Sequence, residues 1–104
     1  MGAAAAKLAA VRGAQVMLFG RDRERAELVH GAISAIGGCA RIFIGDVADP
    51  ASARTAVEMT CDAFGRIDGL VNAAGVIYRG NAAQTSDEDW ARVMQVNVGG
   101  TFYT

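Results

Sequence analysis

Three short apolar runs of this sequence each end in polar residues or glycines. Together these positions supply a guanidinium, carboxylates, an amide and glycines, groups that suit a ligand with hydrogen-bonding and anionic parts. They are Gly20-Arg21-Asp22, Asp46-Val47 and Asn72-Ala73-Ala74-Gly75. The residue types therefore predict a binding site, provided that the fold brings the three ends together.

The pattern of the chain predicts how these ends are held. The apolar runs 15–19, 41–45 and 69–72 are too short for helices and are predicted to be buried strands. They alternate with helical patterns that begin near Ala3, Asp22, Pro50 and Ser86. Such alternation is typical of a parallel sheet covered by helices on both faces, so the predicted fold class is α/β.

In open parallel sheets of this class, ligands bind outside the carboxyl ends of the strands. Each residue there also has a purely structural explanation. Asp46 can cap a turn, and Asn72 and Gly75 can end a strand. Arg21 can be one charge of a solvated run, and Asp22 can cap the helix that follows it. Their joint placement at one edge is what favours a site.

Asn97 is a separate anomaly of the last helix. Trp90, Val93 and Met94 form its apolar stripe, and the same stripe continues to Asn97. A buried amide without partners costs about 1–3 kcal/mol. Asn97 is therefore either a core asparagine with satisfied hydrogen bonds or a polar group that faces an active-site cavity.

Composition limits the class of protein. The chain has 104 residues, is 52% hydrophobic and 20% charged, and has a net charge of −1. These values exclude disorder, and the dispersed basic residues give no field for nucleic acid or anionic membrane. Cys39 and Cys61 fit neither a disulfide framework nor a metal site. We expect a cytoplasmic, soluble domain or part of one, without metal, signal peptide or membrane span.

The motifs in combination resemble those of the short-chain dehydrogenase/reductase family. The segment "GLVNAAGV" (69–76) resembles the family's Asn-Asn-Ala-Gly motif, and "WARVMQVNVGG" (90–100) resembles the helix that carries its catalytic Asn. "GDVAD" (45–49) and "SDEDWARVM" (86–94) resemble two further family segments. Ala73 stands where the family motif has its second Asn, which removes one possible hydrogen bond.

The resemblance implies a role for each candidate residue. Asp46 would accept a hydrogen bond from the adenine amino group of a dinucleotide, with Val47 against the ring. Asn72 would brace the sheet and the loop beside the cofactor, and Gly75 would let the nicotinamide-ribose side approach the backbone. Asn97 would hold a water in the proton relay behind the catalytic lysine. Gly2, Gly20, Ala73 and Ala74 complete the implied cofactor-binding set.

Cofactor choice depends on the end of the strand at 15–19. Family members that prefer NAD place an acid there to bind the ribose 2′-hydroxyl. Here Gly20 and Arg21 resemble the NADP-preferring pattern, because a guanidinium can pair two N–H groups with a 2′-phosphate. We therefore expect NADP as the cofactor, while the neighbouring Asp22 keeps NAD possible.

The resemblance also implies that the chain is a fragment of a doubly wound, Rossmann-like domain. Gly2 would be all that is left of the phosphate-binding turn, and the family's first strand, catalytic Ser and Tyr-x-x-x-Lys are not present. Neither Tyr78 nor Tyr103 is followed by the required lysine. The runs 15–19 and 69–72 would then flank a gap of roughly 9–10 Å, about two strand spacings.

The function implied is oxidoreduction, in which a hydride passes between NADP(H) and a carbonyl or alcohol substrate. The parent protein is expected to be a homo-oligomer, and residues 1–104 alone are expected to be inactive. The alternatives are a non-catalytic truncated remnant or a bare nucleotide-binding module. Another doubly wound enzyme, such as a methyltransferase, is disfavoured because nothing in it requires the Asn-Ala-Ala-Gly segment.

Overall fold

A computed structural model describes all 104 residues. Helices and strands alternate through the first two-thirds of the chain, and the remainder is helical after a long irregular segment. The elements are α1 (Gly2–Val11), β1 (Gln15–Gly20), α2 (Arg23–Ala35), β2 (Cys39–Ile44), α3 (Pro50–Phe64), α4 (Asp87–Met94), a π-helical turn (Gln95–Gly99) and α5 (Gly100–Tyr103). The α/β class predicted from the alternation is confirmed.

The sheet consists of two parallel strands. β1 pairs with β2 in a register that places Gln15 opposite Cys39 and Gly20 opposite Ile44. The second strand begins two residues earlier than its apolar run predicts and ends before Gly45. Since the strands are parallel and in register, the segments that follow Gly20 and Ile44 leave the sheet at the same edge.

The third predicted strand is wrong. Residues 66–81 contain no helix or strand, and Leu70 and Val71 are 58% and 69% exposed. A strand exists only through backbone hydrogen bonds to a neighbour, whereas β1 pairs with β2 alone and residues 69–72 bond to no other backbone. The runs 15–19 and 69–72 therefore do not pair with each other, and the doubly wound sheet is incomplete.

Helices cover both faces of the sheet. On one face, α1 and α2 enclose a small core of Ala10, Ile33 and Ala40, against which Val16 and Leu18 of β1 pack. On the other face, the rings of Phe19 and Phe43 lie 5.5 Å apart, beside Ser52 of α3. Side chains alternate between the two faces along each strand, which explains this division.

The helix ends follow local signals that the sequence predicts. Asp22 accepts a hydrogen bond from the Arg25 amide (3.0 Å), and Ser86 accepts one from the Asp89 amide (3.1 Å). Each cap satisfies an amide that lacks a partner within its helix. Gly65 ends α3 with φ of 81°, a left-handed conformation that favours glycine. The predicted caps at Asp22 and Ser86 are confirmed.

Asp49 caps α3 and should make stability depend on pH. Its carboxylate accepts hydrogen bonds from the Ser52 hydroxyl and from the amides of Ala51 and Ser52, which lower the pKa of Asp49 below its ordinary 3.8. A depressed pKa stabilises the fold above the unfolded-state pKa, and that stability is lost as pH falls through the folded-state pKa. We expect Asp49→Asn to lessen the loss of stability below about pH 4 while keeping a capping side chain. Chemical denaturation of both proteins between pH 2 and 6 gives the free energy of unfolding at each pH. If this free energy fell with decreasing pH equally steeply in both proteins, the prediction would be contradicted.

Candidate functional site

The carboxyl ends of β1 and β2 bring Arg21 and Asp46 together. Arg21 Nη1 lies 3.6 Å from Asp46 Oδ2, and the side chains are 54% and 39% exposed. The two residues are far apart in sequence, and the parallel register of the strands places them side by side. Two of the three strand ends that the sequence singles out therefore meet at one edge of the sheet.

Asp46 and Val47 also connect this edge to the last helices. Asp46 Oδ1 accepts a hydrogen bond from the Ala48 amide at 2.9 Å, so the predicted turn cap is present beside the ion pair. Val47 packs on Gly100 so closely that a Cβ on that glycine would lie 2.9 Å from Val47 Cγ2. The segment after β2 thus lies directly on the start of α5.

The carboxylate of Asp22 contacts Arg25 of the helix that it caps. One of its carboxylate oxygens accepts the bond from the Arg25 amide, and the other lies 3.1 Å from Arg25 Nε. Arg23 is paired with Glu27 at 3.8 Å within α2. Within the run 21–25, Arg21 is thus the arginine that reaches across the strand ends, while both oxygens of Asp22 bind its own helix.

The Asn-Ala-Ala-Gly segment lies beside the start of α1. A Cβ on Gly2 would be 3.1 Å from the Ala73 Cβ, so the two backbones approach closely. Asn72 Oδ1 accepts a hydrogen bond from Thr104 Oγ1 at 2.8 Å. Ala74 is exposed and lies in irregular backbone. Gly2 and the segment are therefore neighbours, although the segment does not end a strand.

Gly75 and Asn97 form the other contact of this segment. A Cβ on Gly75 would be 3.3 Å from Asn97 Oδ1, a tight approach that glycine permits. Asn97 belongs to the π-helical turn, and Gly100, which contacts Val47, comes just after that turn. The same short stretch of helix thus contacts both Val47 and Gly75, so the third predicted segment lies near the edge that carries Asp46.

The Asn97 amide is satisfied by backbone. Its Oδ1 accepts from the Val76 amide at 2.8 Å, and its Nδ2 donates to the Val76 carbonyl at 2.9 Å. Asn97 is exposed, so the burial predicted from the stripe is wrong, and Trp90 of that stripe is exposed as well. An amide offers two donors and two acceptor positions, so one of each is left for a ligand or water.

We expect Asn97→Ala to loosen the segment around Val76. The substitution removes both side-chain bonds to the Val76 backbone, and a neutral hydrogen bond contributes about 0.5–1.5 kcal/mol. Amide exchange at Val76 should accelerate about 10-fold, whereas the amides of β1 should keep their protection. Hydrogen exchange followed residue by residue measures this, with Asn81→Ala as the control. Unchanged exchange at Val76 would contradict the bracing role.

Three contacts at this site were not predicted from the sequence. The Thr104 hydroxyl donates a hydrogen bond to Asn72 Oδ1, and the Thr101 hydroxyl donates one to the Asn97 carbonyl at 3.2 Å. The third is the bond from Asn97 Nδ2 to the Val76 carbonyl. The Thr101 bond joins a hydroxyl to the carbonyl four residues earlier, a local pattern that the sequence could have indicated. The other two join residues far apart in sequence, and no local signal marks them.

The donor set suits a nucleotide better than a metal. No group of three or more His, Cys, Asp or Glu residues is placed to hold a metal ion. Arg21 offers a guanidinium for an anionic group, and Asp46 offers a carboxylate for an amino group. The start of α1 adds the positive end of a helix beside Gly2 and Ala73.

No helix has the length and apolar character to span a bilayer.

Comparisons with known proteins agree with this geometry. Residues 1–104 match the sequence model described as short chain dehydrogenase. The chain is 40% identical to an uncharacterised oxidoreductase of Thermotoga maritima, covering 98% of this chain and 40% of the relative. It is 38% identical to the D-threitol dehydrogenase of Mycolicibacterium smegmatis, covering 98% of this chain and 39% of the relative.

A solved structure supports the same assignment. The short chain dehydrogenase of Burkholderia cenocepacia in complex with NADP is 37% identical, with a TM-score of 0.93 over 98% of this chain and 42% of that one. The present chain thus spans about 40% of the length of the curated relatives it matches. Because the match to the family model covers all 104 residues of the chain, the chain belongs to the short-chain dehydrogenase/reductase family.

Proposed function

We propose that this chain carries the nucleotide-binding part of an oxidoreductase that moves a hydride between NADP(H) and a carbonyl or alcohol substrate. The observation that supports this most is the placement of Arg21 beside Asp46 at the carboxyl edge of the sheet. A cation and an acceptor at adjacent strand ends suit the phosphorylated ribose and the adenine of one nucleotide. The parent protein would be a cytoplasmic homo-oligomer.

The proposed roles divide the site into two ends. Arg21 would bind the 2′-phosphate and Asp46 the adenine amino group, with Gly20 and Val47 shaping that end. Gly2, at the start of α1, would lie under the pyrophosphate, where the helix end favours an anion. The segment Asn72-Ala73-Ala74-Gly75 would line the nicotinamide-ribose end. The nicotinamide ring, once bound, would supply or accept the hydride.

The contacts of Asp22 with Arg25 favour NADP over NAD as the cofactor. An acid that selects NAD accepts hydrogen bonds from the ribose hydroxyls. Both oxygens of Asp22 already contact Arg25, through its amide and through its guanidinium, so the ribose would have to compete with Arg25 for them. The NADP bound to the Burkholderia cenocepacia relative also supports the proposal. NAD is the second candidate, since a rotation of Asp22 would free its carboxylate.

Asn97 is proposed as an auxiliary catalytic residue that holds a water of the proton relay. One donor and one acceptor position of its amide stay available beyond the bonds to Val76. The family's Tyr-x-x-x-Lys pattern does not occur within residues 1–104. A bare nucleotide-binding module without turnover is the second candidate function.

One experiment separates these possibilities. The protein, made with every residue that its gene encodes, is titrated with NADPH and NADH and assayed with a panel of aldehydes, ketones and alcohols. Tighter binding of NADPH together with turnover supports the proposal. Binding without turnover on any substrate supports the module, and the absence of nucleotide binding contradicts both.

A further inference from the structure

Arg21 and Asp46 form an ion pair with each other when no ligand is bound. Asp46 Oδ1 accepts a hydrogen bond from the Ala48 amide, and Arg21 Nη1 lies 3.6 Å from the other oxygen, Oδ2, which accepts no hydrogen bond within the protein. The two groups proposed for the phosphate and for the adenine amino group are therefore paired with one another across the strand ends. A nucleotide whose adenine amino group takes Asp46 Oδ2 therefore competes with Arg21 for that oxygen.

We propose that the Arg21–Asp46 ion pair is a latch that discriminates against nucleotides without a 2′-phosphate, an inference that rests on the function proposed above. A nucleotide with a 2′-phosphate gives Arg21 a new anion when Asp46 turns to the adenine. A nucleotide without it takes Asp46 away and leaves Arg21 with no anionic partner. Selectivity then comes from a cost imposed on one ligand as well as from a contact made with the other.

The strength of the pair suits a latch that a ligand can open. A single contact at 3.6 Å between half-exposed side chains is weak, because water screens the charges. A phosphate can instead accept two parallel N–H bonds from a guanidinium, which are shorter and stronger. The exchange of carboxylate for phosphate is therefore favourable.

The neighbouring arginines supply the matched control. Arg23 has the same charge and lies two positions further along, but it pairs with Glu27 on α2. Arg23→Gln thus removes one positive charge from the same stretch and leaves the latch intact. Arg21→Gln removes the same charge and opens the latch.

The test uses two small nucleotides that differ only in the 2′-phosphate. Dissociation constants of 2′,5′-ADP and 5′-AMP are measured by calorimetry on the protein made with every residue that its gene encodes. We expect Arg21→Gln to weaken 2′,5′-ADP binding at least about 10-fold. The same variant should strengthen 5′-AMP binding about two- to fivefold, because Asp46 is released.

The strengthening must depend on Asp46. In an Asp46→Asn background, Arg21→Gln should leave the affinity for 5′-AMP unchanged, and Arg23→Gln should leave it unchanged in either background. A loss or no change of 5′-AMP affinity in Arg21→Gln overturns the latch, as does an equal gain in the Asp46→Asn background. If the unaltered protein fails to prefer 2′,5′-ADP, the proposed cofactor preference itself is wrong and the latch falls with it.

Discussion

Replacing Arg21 with Asp is expected to weaken NADPH binding by about 10- to 100-fold and to move the cofactor preference toward NADH. Hydrogen bonds between charged groups contribute about 1.5–3 kcal/mol, and each 1.4 kcal/mol is a factor of ten in affinity. The substitution removes the proposed partner of the 2′-phosphate and places a carboxylate against it. The same carboxylate can accept hydrogen bonds from the ribose hydroxyls of NADH. Titration of both reduced cofactors, followed by their fluorescence, measures the change.

Arg23→Asp is the matched control for this exchange. It makes the same change of charge on α2, where Arg23 is paired with Glu27 and not with a strand-end residue. We expect it to alter both affinities only slightly, because exposed charges at a distance are screened by salt. Equal affinities for NADPH and NADH, before and after the change at Arg21, would contradict the assigned role.

The elements with strong local signals were predictable from the sequence. Asp22 and Pro50 begin helices, through a side-chain cap and through a fixed φ, and each acts at the place expected. Such signals depend only on neighbours within a few residues. Strands β1 and β2 also form where the apolar runs predict them, apart from the shifted bounds of β2, because each strand has the other as its partner.

The segment 69–72 shows where such reasoning stops. Its apolar pattern describes a side-chain environment, but a strand also needs a neighbouring backbone, which lies elsewhere in the sequence or is absent. Leu70 and Val71 are consequently exposed in irregular backbone. The π-helical turn that holds Asn97 was missed for a related reason. A periodicity of about 3.6 residues per turn assumes a regular α-helix, but the helix widens to a π-helical turn at Gln95–Gly99. The assumed spacing therefore does not give the face on which Asn97 lies.

The sequence was enough to predict where the candidate site lies, but it did not predict the contacts between its residues. The rule that ligands bind at the carboxyl ends of parallel strands was enough to single out Arg21 and Asp46. Their ion pair and the bonds between Asn97 and Val76 depend on side-chain conformations and on distant residues. The contacts between Asp22 and Arg25, which bear on the choice between NADP and NAD, depend on side-chain conformation in the same way.

Residues 1–104 made alone are expected to catalyse no hydride transfer and to bind dinucleotide weakly at best. They contain no Tyr-x-x-x-Lys, so no side chain can serve as the family's proton donor, a step worth about 10²–10⁴-fold in rate. The pyrophosphate would have Gly2 and the start of α1 in place of a complete glycine-rich turn. Binding would then depend on Arg21 and Asp46, which are proposed to hold only the adenosine end.

The same residues should also be poorly soluble or partly ordered. One edge of β1 has no partner strand, and Trp90 and Phe102 are 62% and 84% exposed. The radius of gyration is 15.1 Å, against about 13 Å for a compact domain of this length.

The predicted weak binding and absent turnover are tested on purified residues 1–104 by calorimetry with NADPH and by an assay on aldehydes and ketones. The protein made from its complete gene is the control. Micromolar binding with turnover by residues 1–104 would contradict this prediction, because the residues present would then have to supply both a proton donor and a phosphate cradle.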